Sequence, residues 1–402
     1  MCGPAPGEPG GFVVYAGIHR FREEIPAMNH TDLAAALAVR DLTDPTAGPH
    51  AMQLVVDAIE TALGGAWRIP VRRSPGPRVV PVADNYDRLR YPPDAVTRER
   101  RYTHYVGDGR MLRAHTTAHI PSLLSTVDTE LLLSVPGICY RRDVIDRQHV
   151  GQPHQLDLWR IRPAGPPLGP VDLDQMIGLV VGAVRPGSTW HAVASRHPYT
   201  VEGREIDVDG ASGPVEIGEC GLAHPELLRD AGLPAGASGL AMGLGLDRLV
   251  MLAKGIPDIR LLRATDPRIA GQLTDLAPYL PVSAMPPTVR DLSLAVAADL
   301  DPELLGDRVR AILGSDADAV EVVEVLAATP CAELPAAARD RMGMSEGQQN
   351  LLVRLTLRHP SHTLTAAEAN RLRDRVYAGL HAGTRHEWAA HSTPSSTSVS
   401  SA

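Results

Sequence analysis

Apolar residues along this chain recur at two spacings, one helical and one strand-like, and the changes between them mark its elements. Met52, Val55, Val56, Ile59 and Leu63 fall on one helical face. They predict a helix over residues 49–63 that Gly64-Gly65 stops. A shorter helix precedes it, capped by Thr31-Asp32 and running through Arg40. The Pro-punctuated, β-branched stretch 67–82 predicts extended structure. From 100 to 250, short strands alternate with helices. Residues 131–135 and 139–142 read as a strand, a turn and a strand, and 155–161 alternates as a strand. Residues 173–184 read as a helix or a buried strand, which periodicity alone does not separate. Residues 205–208 and 215–217 predict two short strands joined by a turn at Asp209-Gly210. The stretch 239–254 carries Gly243 and Gly245, then an apolar helical run.

Residues 266–287 read as a linker, with Pro267, Pro278, Pro281, Pro286 and Pro287. A compact unit follows: strand 289–296, helix 303–313, strands 319–326 and 351–357, and helix 366–382. That β-α-β-β-α order is the order of a ferredoxin-like split βαβ. Residues 1–26, rich in Gly and Pro, and 391–402, rich in Ser and Thr, are predicted to be disordered. The ordered regions are then 27–275 and 286–390.

Composition narrows the class. At 402 residues the chain exceeds the roughly 250–300 residues that one core usually spans, in keeping with more than one domain. Hydrophobic residues at 44% and charged residues at 21% describe a globular chain, not a disordered or fibrous one. A net charge of -8 argues against a generally basic nucleic-acid coat. Cys2, Cys139, Cys220 and Cys331 lie far apart with no CxxC pair. That spacing excludes a usual zinc cluster or disulfide scaffold and suits a reducing cytoplasm. No apolar run is long enough to span a membrane, and no signal peptide is read, so a cytoplasmic protein is expected. Lys254 is the only lysine among 39 basic residues, which reflects a codon bias toward arginine.

Two segments carry candidate chemistry. Tyr140-Arg141-Arg142-Asp143 is followed by Asp146, His149 and His154-Gln155-Leu156-Asp157. Arginine presents a planar fork that matches phosphate oxygens, so such a hairpin can hold a phosphate near an ammonium. A surface salt-bridge hairpin would show the same residues. The second segment is Gly243-Leu244-Gly245-Leu246-Asp247-Arg248-Leu249, where glycine permits close backbone approach and Arg248 opens an apolar helix. Alone, it also describes a helix packed tightly on a strand. His115 and His119 stand at i and i+4, but no third ligand or HExxH glutamate accompanies them.

Together and in this order, the two segments resemble motifs 2 and 3 of class II aminoacyl-tRNA synthetases. The flanking residues resemble one family, the phenylalanyl-tRNA synthetases. Met111-Leu112-Arg113-Ala114-His115-Thr116-Thr117-Ala118-His119 is similar to its Arg-x-His-Thr-Ser segment. Asp84-Asn85-Tyr86-Asp87 resembles the preceding segment of the single-chain mitochondrial form. Gly255-Ile256-Pro257-Asp258-Ile259-Arg260 and Asp266-Pro267-Arg268 resemble the tail of its catalytic domain. Pro287-Thr288-Val289-Arg290-Asp291-Leu292-Ser293 resembles the entry to its anticodon-binding domain. The resemblance covers residues 84–385. It implies an α+β chain: an antiparallel class II sheet with flanking helices over 27–275, then a ferredoxin-like, anticodon-binding-like domain over 286–390.

The resemblance also implies a reaction. An amino-acid carboxylate attacks the α-phosphorus of ATP, pyrophosphate leaves, and the aminoacyl group passes to tRNA. Arg141 matches the arginine on the α-phosphate and carboxylate, and Arg248 the arginine on the γ-phosphate. His149, with Gln148 beside it, matches a loop position that contacts the nucleotide, Glu216 matches a glutamate before the Gly-rich turn, and Met242, on the strand before Gly243, is a candidate nucleotide contact from the other side. Thr117, His119, Gln155, Asp157, His197, Tyr199, Glu219 and Ala241 match the amino-acid pocket. Asp207 and Glu216 are candidate Mg²⁺ contacts. ATP, Mg²⁺, an amino acid and tRNA are the implied ligands; no membrane partner is expected, and a monomer or a homodimer both fit. Arg354, Arg358, Arg371, Arg373 and Arg375 could present charge to tRNA phosphates.

Three departures from the family pattern stand out. His197-Pro198-Tyr199 replaces Phe-Pro-Phe, Gly218-Glu219-Cys220-Gly221 replaces Leu-Gly-Cys-Gly, and Pro153 replaces an aromatic residue. His197 and Glu219 would be costly in an apolar pocket unless they pair with each other or with a polar substrate. They keep open a paralogue that adenylates a polar amino acid or charges an acceptor other than tRNA. A non-catalytic protein that kept the fold is the remaining alternative.

Overall fold

The computed structural model describes residues 27–100, 102–210, 213–282 and 286–386. The ends expected to be disordered, 1–26 and 391–402, lie outside the described residues. In chain order the strands are β1 (Val71–Arg73), β2 (Val79–Pro81), β3 (Tyr105–Gly107), β4 (Arg110–Leu112), β5 (Leu131–Ile138), β6 (His154–Arg162), β7 (Trp190–Ala194), β8 (Thr200–Gly210), β9 (Gly213–Ala223), β10 (Ser238–Gly245), β11 (Thr288–Ala297), β12 (Val320–Pro330) and β13 (Gln348–Leu357). Seven of them form one sheet in the order β1-β5-β6-β10-β9-β8-β7. Only β1 and β5 run parallel; the other neighbours are antiparallel.

Strand alternation gives this sheet two faces. Leu156 and Leu158 of β6, with Leu240, Met242 and Leu244 of β10, enter the core under the helices Ala51–Trp67, Pro170–Val184 and Leu246–Lys254. Gln155, Asp157, Ala241 and Gly243 alternate with them and face the other way. That second face is covered by helices only toward its far end, where Trp159, Ala241 and Leu227 share a smaller core. The remainder is free to hold a ligand.

Several elements differ from expectation. The helix Ala51–Trp67 runs through Gly64-Gly65 and ends at Arg68 in the left-handed region, φ 56°. A Cβ at Gly64 would lie 2.8 Å from Val71 Cγ2, so this glycine lets the helix approach β1 and does not stop it. Residues 139–142 form no strand. β5 ends at Ile138, although the Cys139 and Arg141 amides still donate to Pro153 and Gly151. The ambiguous stretch 173–184 is helical, with Pro170 in its first turn and Asp172 accepting from the Gly169 amide at 2.9 Å. The two short strands around Asp209-Gly210 are the ends of a much longer hairpin, β8–β9.

The C-terminal unit has its own core and a three-stranded antiparallel sheet in the order β11-β13-β12. The helices Pro302–Leu313 and Ala366–Leu380 supply Leu305, Val309, Leu372 and Val376 to that core. The short helix Ala336–Met342 between β12 and β13 was not foreseen. The loop after Arg141 docks here. Ile145 joins the C-terminal core, and the Val323 amide donates to Ile145 O at 2.9 Å. Arg142 pairs with Asp307, and Arg147 donates to Glu321 at 2.5 Å. Among the described residues no helix is long and apolar enough to cross a membrane.

Candidate active site

A cavity of about 360 Å³ opens on the uncovered face of the large sheet. It gathers Thr117, Arg141, Gln148, His149, Gln155, Asp157, His197, Tyr199, Glu216, Glu219 and Arg248 from segments far apart in sequence. Gly243 forms part of its floor, and a Cβ there would come within 4.0 Å only of the Asp157 carboxylate.

One end is built around Arg248. Its Nη1 donates to Glu216 O and Oε2, both at 3.0 Å, and its Nη2 lies 3.0 Å from His149 Nε2. His149 Nδ1 meets Asp146 at 2.7 Å. The neutral ring with its proton on Nδ1 satisfies both neighbours, donating to Asp146 and accepting from Arg248. Asp146 raises the His149 pKa through this bond, while burial and Arg248 oppose the shift. Beneath Arg248, Asp247 is buried and accepts from the His154 amide at 2.5 Å and from Nδ1 at 3.1 Å. His154 Nε2 accepts from the Leu42 amide at 3.1 Å and from Arg263 at 3.2 Å. Burial alone would raise the Asp247 pKa, but His154 and Arg263 hold it below the usual value. Sequence reading did not assign Asp247 and His154 a role. Their signal was position, since each sits inside one of the two motifs beside a residue that was assigned.

The other end is built around Asp157. Its Oδ2 accepts from Thr116 and Thr117 hydroxyls at 2.9 Å, and its Oδ1 from Trp159 Nε1 at 3.2 Å. Burial raises its pKa, and these three bonds oppose the rise. Gln155 Oε1 accepts from the Thr116 amide at 3.3 Å and lies 3.4 Å from Cys139 Sγ. Burial pushes the Cys139 thiol up to about 12, so it is no nucleophile. Arg141 donates its Nε to Ala114 O at 2.7 Å. His197 Nε2 meets Glu219 Oε2 beside Tyr199. Burial, then Arg141, pushes His115 down to about 3, so the ring is neutral.

A bulge decides which carboxylates reach the cavity. Ile206 pairs with Gly218 but Asp207 pairs with Glu216, so the ladder skips Ile217. Glu216 and Glu219, three apart, therefore face the same side, which strict alternation forbids. Gly218 has φ 152°, and a Cβ on it would lie 2.0 Å from Gly243 O. No other residue fits there.

Three assignments change, and a fourth, Asp207, keeps its role from beyond the cavity lining. Met242 points into the helix-covered core, on the face opposite Gly243. His119 turns away from the cavity toward Ser74, with Nε2 3.0 Å from its hydroxyl. Ala241 lies on the cavity face but is buried beside its cross-strand partner Trp159 and is not among the residues lining this cavity. Asp207 stands outside the cavity lining, opposite Glu216 on the same face, with Glu205 opposite Glu219. Burial and then repulsion from Glu216, Asp207 and Glu219 raise the Glu205 pKa. Among the described residues no group of three or more His, Cys, Asp or Glu could hold a metal by itself. The oxygen donors of Asp207 and Glu216 fit Mg²⁺, which takes one or two carboxylates together with nucleotide phosphates. In the C-terminal unit, Arg354, Arg358, Arg373 and Arg375 each pair with a carboxylate, which reduces the charge they offer to a polyanion.

Comparison with known proteins places this geometry. The family described as tRNA synthetases class II core domain (F) matches residues 43–273. A probable phenylalanine–tRNA ligase, mitochondrial, from Drosophila melanogaster is 26% identical over 355 residues, 74% of this chain and 74% of that one. The phenylalanine–tRNA ligase alpha subunit of Acaryochloris marina is 28% identical over 250 residues, 61% of this chain and 75% of its own. That of Prochlorococcus marinus (strain MIT 9313) is 30% identical over 254 residues, 60% of this chain and 73% of its own.

Proposed function

This chain belongs to the class II tRNA synthetases and, within them, to the phenylalanine–tRNA ligase family, and from that premise we propose that it is an ATP-dependent aminoacyl-tRNA ligase. The observation that carries the reading is the convergence of Arg141 and Arg248 with Gln155 and Asp157 in one cavity. Two guanidiniums suit a triphosphate, and a buried carboxylate beside an amide suits an amino-acid ammonium.

In this reading the amino-acid carboxylate attacks the α-phosphorus and pyrophosphate leaves, giving the aminoacyl-adenylate. Arg141 neutralises the α-phosphate and orients the attacking carboxylate. Arg248 holds the γ-phosphate, and Glu216 and His149 fix its guanidinium before the nucleotide arrives. Gln148 and His149 border the nucleotide. Asp157 receives the ammonium on the lone pair of Oδ1 that Trp159 leaves unused, with Gln155 and Thr117 alongside. Mg²⁺ bound by Glu216 and Asp207 would neutralise phosphate charge. Transfer to the terminal ribose of tRNA completes the cycle. We further divide the chain into a catalytic domain, 27–275, and a ferredoxin-like domain, 286–390. The strand order β11-β13-β12 supports the latter, being the order of a ferredoxin-like sheet without its last strand. The buried free thiols Cys139 and Cys220 support a reducing compartment.

Amino-acid-dependent ATP–pyrophosphate exchange, followed by charging of total tRNA, tests the reading. Exchange that depends on one amino acid and is lost in Arg141→Ala supports it. No exchange with any amino acid overturns it.

A further inference from the structure

The end of the cavity away from Arg248 has more hydrogen-bonding capacity than the protein uses. The Glu219 side chain is 35% exposed; His197 meets its Oε2, and its Oε1 has no hydrogen-bond partner among the described residues. Tyr91 and Tyr199 also line this end, and neither hydroxyl bonds to another described residue. Burial raises both phenol pKa values, so both hydroxyls keep their protons at neutral pH. The rings of Tyr91, Tyr199 and His197 form a continuous wall, with the fully buried Trp159 next to Tyr199. Tyr199 lies 6.3 Å from Tyr91, 6.1 Å from Trp159 and 5.7 Å from His197, centroid to centroid.

A bare hydrocarbon side chain seated on this wall would cover a carboxylate oxygen and two hydroxyls and satisfy none of them. Burying unpaired polar groups is unfavourable, and most so for a charged one. A side chain with a planar or apolar stem can lie on the rings. If it ends in an N–H or O–H, it can donate to Glu219 Oε1. Resting on the ligase reading above, we propose that the amino acid activated here carries a hydrogen-bond donor on its side chain, that Glu219 accepts from it, and that His197 positions Glu219. Sites built to hydrogen-bond a substrate group reject the analogue that lacks it far more strongly than apolar pockets reject an extra group. The discrimination against phenylalanine is therefore large.

The test is ATP–pyrophosphate exchange with the twenty amino acids and with ring-hydroxylated and ring-aminated phenylalanines. Wild type, Glu219→Gln and the double variant His197→Phe/Glu219→Gly are compared. The expected result is a donor-bearing substrate preferred over phenylalanine by at least about 100-fold in kcat/KM. That ratio should fall at least about tenfold in the double variant, with KM for ATP unchanged. Glu219→Gln, which keeps shape and an acceptor oxygen, should retain an intermediate preference and covers the case in which the double variant does not fold. Preference for phenylalanine in wild type overturns the inference and leaves the ligase reading standing. An unchanged ratio in the variants also overturns it. Silence with every amino acid overturns the ligase reading, and the inference with it.

Discussion

The two ends of the cavity are built on opposite principles. Around Arg248 almost every polar group is satisfied from within: Glu216 and His149 hold the guanidinium, Asp146 holds His149, and His154 holds Asp247 beneath it. Around Tyr199 the protein leaves a carboxylate oxygen and two hydroxyls for something else to bond. A site that stabilises shifting charge gains from dipoles fixed in advance, because reorganisation then costs nothing during reaction. A site that selects among side chains gains from unpaired groups, because only the right ligand removes their penalty. In the function proposed above, the difference separates the chemistry from the choice of substrate within one cavity.

Removing Arg248 tests the first half of that contrast most severely. Arg248→Ala should lower kcat of exchange by about 10²–10³, or about 3–4 kcal/mol, the loss expected for one preorganised donor. KM for the amino acid should stay within a factor of about two if the two ends act separately. A large rise in amino-acid KM would break the contrast.

The support beneath Arg248 comes next. Asp247→Ala leaves the His154 amide and Nδ1–H buried without partners, at about 1–3 kcal/mol each. Urea unfolding should show a loss of about 2–4 kcal/mol against wild type, since some relaxation is expected. A loss near zero would mean that water replaces the carboxylate and that the end is not dry.

At the other end, Asp157→Asn should raise amino-acid KM by about tenfold, the strength of one charge-assisted hydrogen bond, and leave KM for ATP alone. Initial rates at saturating ATP measure it. An equal rise in both constants would show that Asp157 organises the whole cavity.

The smallest effect is a pH dependence. Burial raises the folded-state pKa of Asp157 above the ordinary carboxyl value of 3.8. The folded protein therefore binds this proton more tightly than the unfolded chain does. Its contribution to stability is present below that value and is lost as pH rises through the raised pKa. Ammonium binding has the opposite sign, because it needs the carboxylate and strengthens over the same window. Wild type minus Asp157→Asn should show a falling difference in unfolding free energy and a falling amino-acid KM as pH rises. A flat difference in both would mean that Asp157 is ionised throughout.

Much of this was legible before folding. The apolar stripe from Met52 to Leu63 marked a core helix, and alternation in β6 placed Gln155 and Asp157 on one face. The two arginine motifs pointed to one charge-binding site, and Arg141 and Arg248 do line one cavity. The misses share a cause. Gly64-Gly65 looked like a stop because glycine often ends helices, yet β1 packs against Gly64 and needs the space. Met242 reads as a nucleotide contact from the strand before Gly243, but neighbours on a strand face opposite ways. His119 followed His115 in the motif, but the turn at residues 116–119 sends its ring toward Ser74.

The sequence by itself determined the periodicities, hence most elements and the buried face of each, together with the residue types able to bind phosphate and ammonium. Those properties are local: they follow from backbone geometry and side-chain chemistry within a few residues. Only the tertiary structure decided that Glu216 and Glu219 share a face, that His154 seals Asp247, and that Ile145, four residues after Arg141, enters the C-terminal core. Each of these depends on a strand register, a bulge or a packing contact between segments distant in the chain, and no local pattern carries that information.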